Sequence, residues 1–181
     1  MKSLIIYFSD VHLTGMKPEN EGAVIAAFCE DVKQQLIKLK HGDVFVLIGG
    51  DLVQAADDMD SYQMFYDKIL KRLIAFGIDK NKIFAVPGNH DCERQWIIDN
   101  RDVYAPVVDQ NFTEDRFDDV INSSQGALFT EKFRNYSNFI NHYLPNSRYN
   151  PIGYPVELNE EWSLYCLNSA LTSFAGYELF Q

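Results

Sequence analysis

Cysteine is scarce in this chain. Cys29, Cys92 and Cys166 stand far apart, odd in number and without a Cys-x-x-Cys pair. That argues against a zinc-finger ligand set and a disulfide framework alike, so a reducing cytoplasm is the expected compartment. Long apolar runs are missing as well. No stretch approaches the ~20 residues that a membrane helix needs, and Leu4–Phe8 is too short for a secretion-signal core. No membrane partner is expected. Basic residues are outnumbered, 16 against 26 acids, for a formal net charge of −10. That balance disfavours indiscriminate nucleic-acid binding, which runs on Lys and Arg meeting phosphates. It leaves a nuclease open, because bound divalent cations reverse the field at a site. There is no Gly-x-Ser-x-Gly elbow and no phosphate-binding loop of the Walker type. Histidine occurs four times only, as His12, His41, His90 and His142.

What is present is rhythm. The chain has 181 residues, enough for one domain with a real core. Leu4–Phe8, Val44–Ile48 and the run 83–86 are short and apolar. Between them, Ile25, Phe28, Val32, Leu36 and Leu39 predict a helix over 21–40, and Phe65, Ile69, Leu73 and Phe76 another over 61–76, stopped by Gly77. Strand, helix, strand, helix, strand predicts an α/β fold with a parallel βαβαβ core. Residues 97–150 break the rhythm and read as a helical insertion, with a stripe of Phe129, Phe133, Tyr136, Ile140 and Tyr143 expected to make a local core. Residues 154–158 and 162–167 then predict a β-hairpin, followed by Asn168-Ser169.

Each of the first three apolar runs leads into residues that carry chemistry: Asp10-Val11-His12, Gly49-Gly50-Asp51 and Gly88-Asn89-His90-Asp91. Functional groups of parallel sheets collect beyond the carboxyl ends of the strands. Asp10 and His12 are spaced to face one side and reach one ion. Asp51 follows two glycines that permit close backbone approach, and its two oxygens can bridge two cations. Asn89 offers a neutral oxygen, and His90 a proton near physiological pH. Singly these are ordinary polar turns. Together, at matching strand ends, they predict a metal site.

In this order and spacing the three runs resemble the N-terminal half of the calcineurin-like metallophosphoesterase family. Val86-Pro87-Gly88-Asn89-His90-Asp91 is most similar to the cyclic-nucleotide phosphodiesterase-like subgroup. The likeness runs from residue 1 to about 96 and resumes over 154–169. It implies the first half of an α/β sandwich, with the insertion and hairpin inside one domain over 1–181. It implies Asp10 and His12 on a first metal, Asp51 bridging, and Asn89 on a second. His90 would protonate the leaving oxygen, with Asp91 holding its ring. Two divalent ions are implied for the complete domain and one for this chain, with manganese, iron or zinc better suited than magnesium to such mixed ligands.

The chain departs from the family in lacking a later lone His and a Gly-His-x-His run. His41 beside Gly42 is expected to be structural, and His142 lies in the insertion. Gln54 stands where members often carry an acid. With the apolar ending Tyr177–Gln181, these departures predict a domain that continues past residue 181 and a chain that alone turns over poorly or not at all. The expected partner is a phosphate ester, nucleotides included. Nucleic acid is not favoured, and an unpaired sheet edge invites self-association. The rival readings are a non-catalytic phosphate-binding or scaffold domain and a nuclease.

Overall fold

The three apolar runs become three parallel strands in the computed structural model, which describes residues 3–14, 18–39, 42–102, 118–119, 122, 126–144 and 149–173. The expectations for His41 and for Tyr177–Gln181 lie outside the described residues. Strands β1 (Leu4–Phe8), β2 (Val44–Ile48) and β3 (Ile83–Ala85) lie in the order β1-β2-β3. Phe8 sits opposite Ile48, and Ile48 opposite Ala85. All three strands therefore end level, which brings the three polar runs to one rim.

Why the runs are apolar throughout is visible in the packing. Side chains alternate across a sheet, and β2 and β3 are covered on both faces. Val46, Ile48, Ile83 and Ala85 join the main core, whereas Phe45 and Phe84 join a second cluster on the other side. β1 is an outer strand. Ile6 and Phe8 pack on the main core, while Ile5 and Tyr7 are exposed.

The crossovers follow the predicted stripes, with one change. Helix α1 (Pro18–Leu39) buries Ile25, Cys29 and Val32. The second crossover is not one continuous α-helix: α2 (Met59–Phe65) passes through a π-helical turn, Tyr66–Leu70, into α3 (Lys71–Ala75). An extra residue in the turn shifts the phase of the face. Ile69 and Leu70 are thus both buried, between Phe65 and Leu73. Gly77, at φ +95°, follows α3 in a left-handed conformation suited to glycine. Helix α4 (Arg94–Asp99) spans the start expected for the insertion, and its Ile97 belongs to the main core.

The insertion stripe is also broken, into α5 (Gly126–Glu131) and α6 (Arg134–Tyr143). Phe129, Phe133, Tyr136 and Ile140 are buried as the stripe requires, and Phe139 with them. Phe139 stacks on Tyr62 of α2 with ring centroids 5.2 Å apart. These rings join the main core, each contributing about 2–3 kcal/mol through burial. The predicted hairpin is present as β4 (Gly153–Glu157) and β5 (Ser163–Leu167), paired antiparallel. Tyr154, Val156 and Cys166 pack on Phe45 and Phe84, and the Tyr154 hydroxyl donates to the Ala85 carbonyl at 2.9 Å. The architecture is the α/β arrangement the sequence predicts, a parallel sheet with helices followed by a hairpin. All three cysteines are buried free thiols. Among the described residues no helix is long and apolar enough to cross a membrane.

Candidate metal centre

Beyond the rim, the loops after β1 and β2 are tied to each other residue by residue. Asp10 N donates to Gly50 O at 3.0 Å, His12 N to Asp51 O at 2.9 Å and Gln54 N to Leu13 O at 3.2 Å. This zipper carries an unusual backbone. Among the described residues, the non-glycine positions with positive φ are Asp10 at 56°, His12 at 46° and Asp51 at 53°. The left-handed conformation costs an L-residue about 1–2 kcal/mol. Strain of this kind gathers at functional sites, and these three are the residues expected to hold the first ion.

Their side chains converge. One donor atom from each of Asp10, His12 and Asp51 lies within 4.8 Å of the others. His12 Nε2 is 3.9 Å from Asp10 Oδ1 and 3.8 Å from Asp51 Oδ2. Those distances are too long for hydrogen bonds and suit donors that share one cation. The Asp10 side chain is 68% exposed and that of Asp51 only 13%, so the group opens to solvent on one side. His12 Nδ1 is buried with no hydrogen-bond partner among the described residues. Two carboxylates beside an imidazole nitrogen make a donor set that fits a divalent ion.

The third loop reaches the first two through missing side chains. A Cβ on Gly50 would lie 2.4 Å from Gly88 N, and a Cβ on Gly88 would lie 2.1 Å from Asp51 Oδ1. Glycine at both places lets the loops touch. Asn89–Asp91 then forms a 3-10 turn, and the backbone N–H of His90 donates to Asp51 Oδ1 at 2.8 Å. The His90 ring lies edge-on to His12, centroids 4.4 Å apart. Asn89 is exposed on the same turn.

Asp91 does something other than hold the His90 ring, and that expectation is corrected. Its carboxylate is fully buried, and its hydrogen bonds go to other groups. Oδ2 accepts from Asp51 N at 2.8 Å, Gly88 N at 2.9 Å and Leu52 N at 3.4 Å. Oδ1 accepts from the Tyr62 hydroxyl at 3.1 Å. Burial pushes the Asp91 carboxyl up to about 7, against the pull of the Gly88 and Leu52 amides, and burial beside Asp91 pushes the Tyr62 phenol well up. The His90 ring is held instead by a main-chain group, with Nδ1 2.9 Å from the Gln54 carbonyl. The Gln54 side-chain Nε2 also lies 3.5 Å from Nδ1, and a proton on Nδ1 suits the closer carbonyl. A main-chain acceptor has no sequence signature. Tyr62 is buried on α2, one turn before Phe65 of the predicted stripe.

His142 is exposed on α6, its ring against Tyr143. Asn168 is buried at the end of the hairpin, where its side chain donates to Pro151 O and accepts from Ala170 N. The family model described as calcineurin-like phosphoesterase matches residues 3–168. No curated protein and no solved structure matches the chain.

Proposed function

The chain belongs to the calcineurin-like phosphoesterase family, and from that premise we propose that it supplies the metal-dependent site of a phosphodiester hydrolase. The family supports a hydrolase acting on phosphoester bonds. The single observation that carries the reading here is the convergence of Asp10, His12 and Asp51, all three in the left-handed conformation. Asp10, His12 and Asp51 would hold a first divalent ion. Asp51 with Asn89 would hold a second, more weakly, since that pair offers one charged and one neutral ligand. The chemistry such ions supply when bound is Lewis-acid polarisation of a phosphoryl oxygen and a lowered pKa for water.

The chain's own residues do the rest. Asp51 Oδ1 fixes the His90 backbone, and the Gln54 carbonyl fixes its ring. A protonated His90 would give its Nε2 proton to the departing oxygen and relax to the neutral tautomer that the Gln54 carbonyl already favours. Such acid catalysis contributes about 10²–10⁴-fold. A phosphodiester, nucleotides included, is proposed over a phosphomonoester on the likeness of Val86–Asp91 to the cyclic-nucleotide phosphodiesterase-like subgroup. Manganese, iron or zinc suits the donors. Self-association along the outer strand β1, and an influence of α5 and α6 on substrate choice, belong to the same proposal.

The test has two parts. Titration with manganese should give one tight ion per chain, lost in Asp51→Ala. Hydrolysis of an aryl phosphodiester by the manganese-loaded chain, expected to be weak because the later histidine ligands are not among its residues, should still exceed that of His90→Ala. Tight binding with no turnover above His90→Ala would favour the non-catalytic phosphate-binding reading.

A further inference from the structure

The turn that carries His90 runs straight into a clasp. Glu93 is only 5% exposed. Its carboxylate sits at the N-terminus of α6, where Oε1 accepts from the Asn135 N–H at 2.9 Å and Oε2 from the Arg134 guanidinium at 2.8 Å. In return, the Glu93 N–H donates to the Lys132 carbonyl at 2.8 Å. The Asn135 side chain donates to the Ala56 carbonyl at 2.9 Å, so the same helix end also grips the chain beyond Gln54. A carboxylate is favoured at a helix N-terminus, and its bonds to amide and guanidinium are of the stronger, charge-assisted kind.

We propose that Glu93 is a positioning residue for His90, and that the α5–α6 junction of the insertion is the brace through which it acts. This rests on the role given to His90 above. Two facts give the direction. Between the turn and the clasp stands only Cys92, buried, its N–H on the Asn89 carbonyl at 3.4 Å. The loops bearing Asp10, His12 and Asp51 are zipped to each other, and the bond from Asn135 to the Ala56 carbonyl does not need the Glu93 carboxylate. Loosening Glu93 should therefore disturb the imidazole more than the metal group, although Asp51 also bonds the His90 turn. The insertion thereby becomes part of the proposed acid's support.

The experiment follows the His90 imidazole by NMR in histidine-labelled chain, measuring exchange of the Nδ1 proton that faces the Gln54 carbonyl. Glu93→Ala should speed that exchange by about ten-fold or more, with manganese affinity within about two-fold of wild type. Glu93→Gln keeps an oxygen for the Asn135 N–H and should fall between. With an aryl phosphodiester, Glu93→Ala should lower kcat about ten-fold at a nearly unchanged KM, the size expected when a reacting group is slightly misplaced. Unchanged exchange in a folded Glu93→Ala would overturn the inference, and so would a matching fall in manganese affinity. Should Glu93→Ala not fold, Glu93→Gln decides: exchange raised about three-fold supports the clasp, and the wild-type rate overturns it. A wild type without turnover leaves the exchange measurement standing, so failure of the proposed function is seen separately.

Discussion

The first two ligand loops and the third solve the same problem in opposite ways. After β1 and β2 the chain is forced into left-handed backbone at Asp10, His12 and Asp51, and a ladder of main-chain hydrogen bonds holds it there. After β3 no described residue from Val86 to Cys92 has positive φ. That loop is an unstrained 3-10 turn gathered around one buried carboxylate, Asp91. Main chain ties the first two loops together, and the Asp91 carboxylate adds bonds from the Asp51 and Leu52 amides of the second. The third loop has no such ladder and relies on that same carboxylate, which also takes its Gly88 amide. The lesson is that Asp91 belongs to the scaffold, although it stands in the middle of a motif that reads as chemistry.

Removing that carboxylate should have the largest effect. Asp91→Ala leaves the amides of Asp51, Gly88 and Leu52 and the Tyr62 hydroxyl without their acceptor, in a site with no exposure. Each orphaned donor costs about 1–3 kcal/mol, less whatever the site relaxes, so a loss of about 4 kcal/mol in denaturant unfolding is expected. The comparison gains an edge from hydrogen exchange. Amides of Asp10 and His12 should stay protected in a folded Asp91→Ala chain, because their acceptors are Gly50 and Asp51 carbonyls. Equal loss of protection in all three loops would erase the distinction.

Next in size is a pair of glycines that need to be glycine for different reasons. Gly88 has φ −101°, which any residue adopts, yet its Cβ would strike Asp51 Oδ1 at 2.1 Å and Asp51 N at 2.6 Å. Gly77 has φ +95° but open space around it. Gly88→Ala should cost about 3 kcal/mol by overpacking and weaken manganese binding through Asp51. Gly77→Ala should cost about 1 kcal/mol from backbone strain and leave metal binding alone. A thermal melt and a titration of each variant separate the two causes.

How much of this was legible follows from where the information lies. The strands and crossovers could be read because period and burial agree, as in Ile25, Val32, Phe65 and Leu73. Asp10, His12 and Asp51 could be read because level strand ends bring fixed offsets to one rim. The π-helical turn at Tyr66–Leu70 could not, since one added residue leaves composition unchanged and moves only the phase. Neither period nor spacing marks Lys132 or Glu93 for burial. They are buried because distant main chain meets them, the start of α6 at Glu93 and the carbonyls of residues 170–173 at Lys132, a tertiary fact. The Gln54 carbonyl on His90 is independent of the side chain at that position altogether.

Lys132 extends the comparison to pH. Its ammonium is buried and donates to the carbonyls of Leu171 at 2.7 Å and Ser173 at 2.6 Å, so here too a side chain gathers main chain. Burial pulls its pKa down to about 8 from the ordinary 10.5. The unfolded chain keeps the proton up to about 10.5, so stability should rise with pH between 8 and 10.5 and be level below 8, where both states hold the proton. The full interval corresponds to about 3 kcal/mol. The carbonyl bonds favour the ammonium, so about 1–2 kcal/mol is expected relative to the slope of Lys132→Met. Parallel pH profiles for the two chains would mean that Lys132 keeps its charge throughout.

The smallest effect is the sharpest, because two readouts should move in opposite directions. Asp10 combines a left-handed φ of 56° with a side chain 68% exposed. Little packing is lost with it, so Asp10→Gly mainly removes backbone strain. Against that, glycine makes the unfolded chain more flexible, which takes back part of the gain. The metal-free chain should therefore gain between about 0 and 1 kcal/mol in unfolding free energy. Manganese affinity should fall, since one of three converging donors is gone. Activity and stability trade off in this way where strain serves a site. Asp10→Ala is the control: it removes the same carboxylate but keeps the strained φ, so it should lose the metal without the gain. If Asp10→Gly and Asp10→Ala unfold alike, the left-handed backbone is not under strain. The first two loops would then differ from the third only in hydrogen-bond pattern.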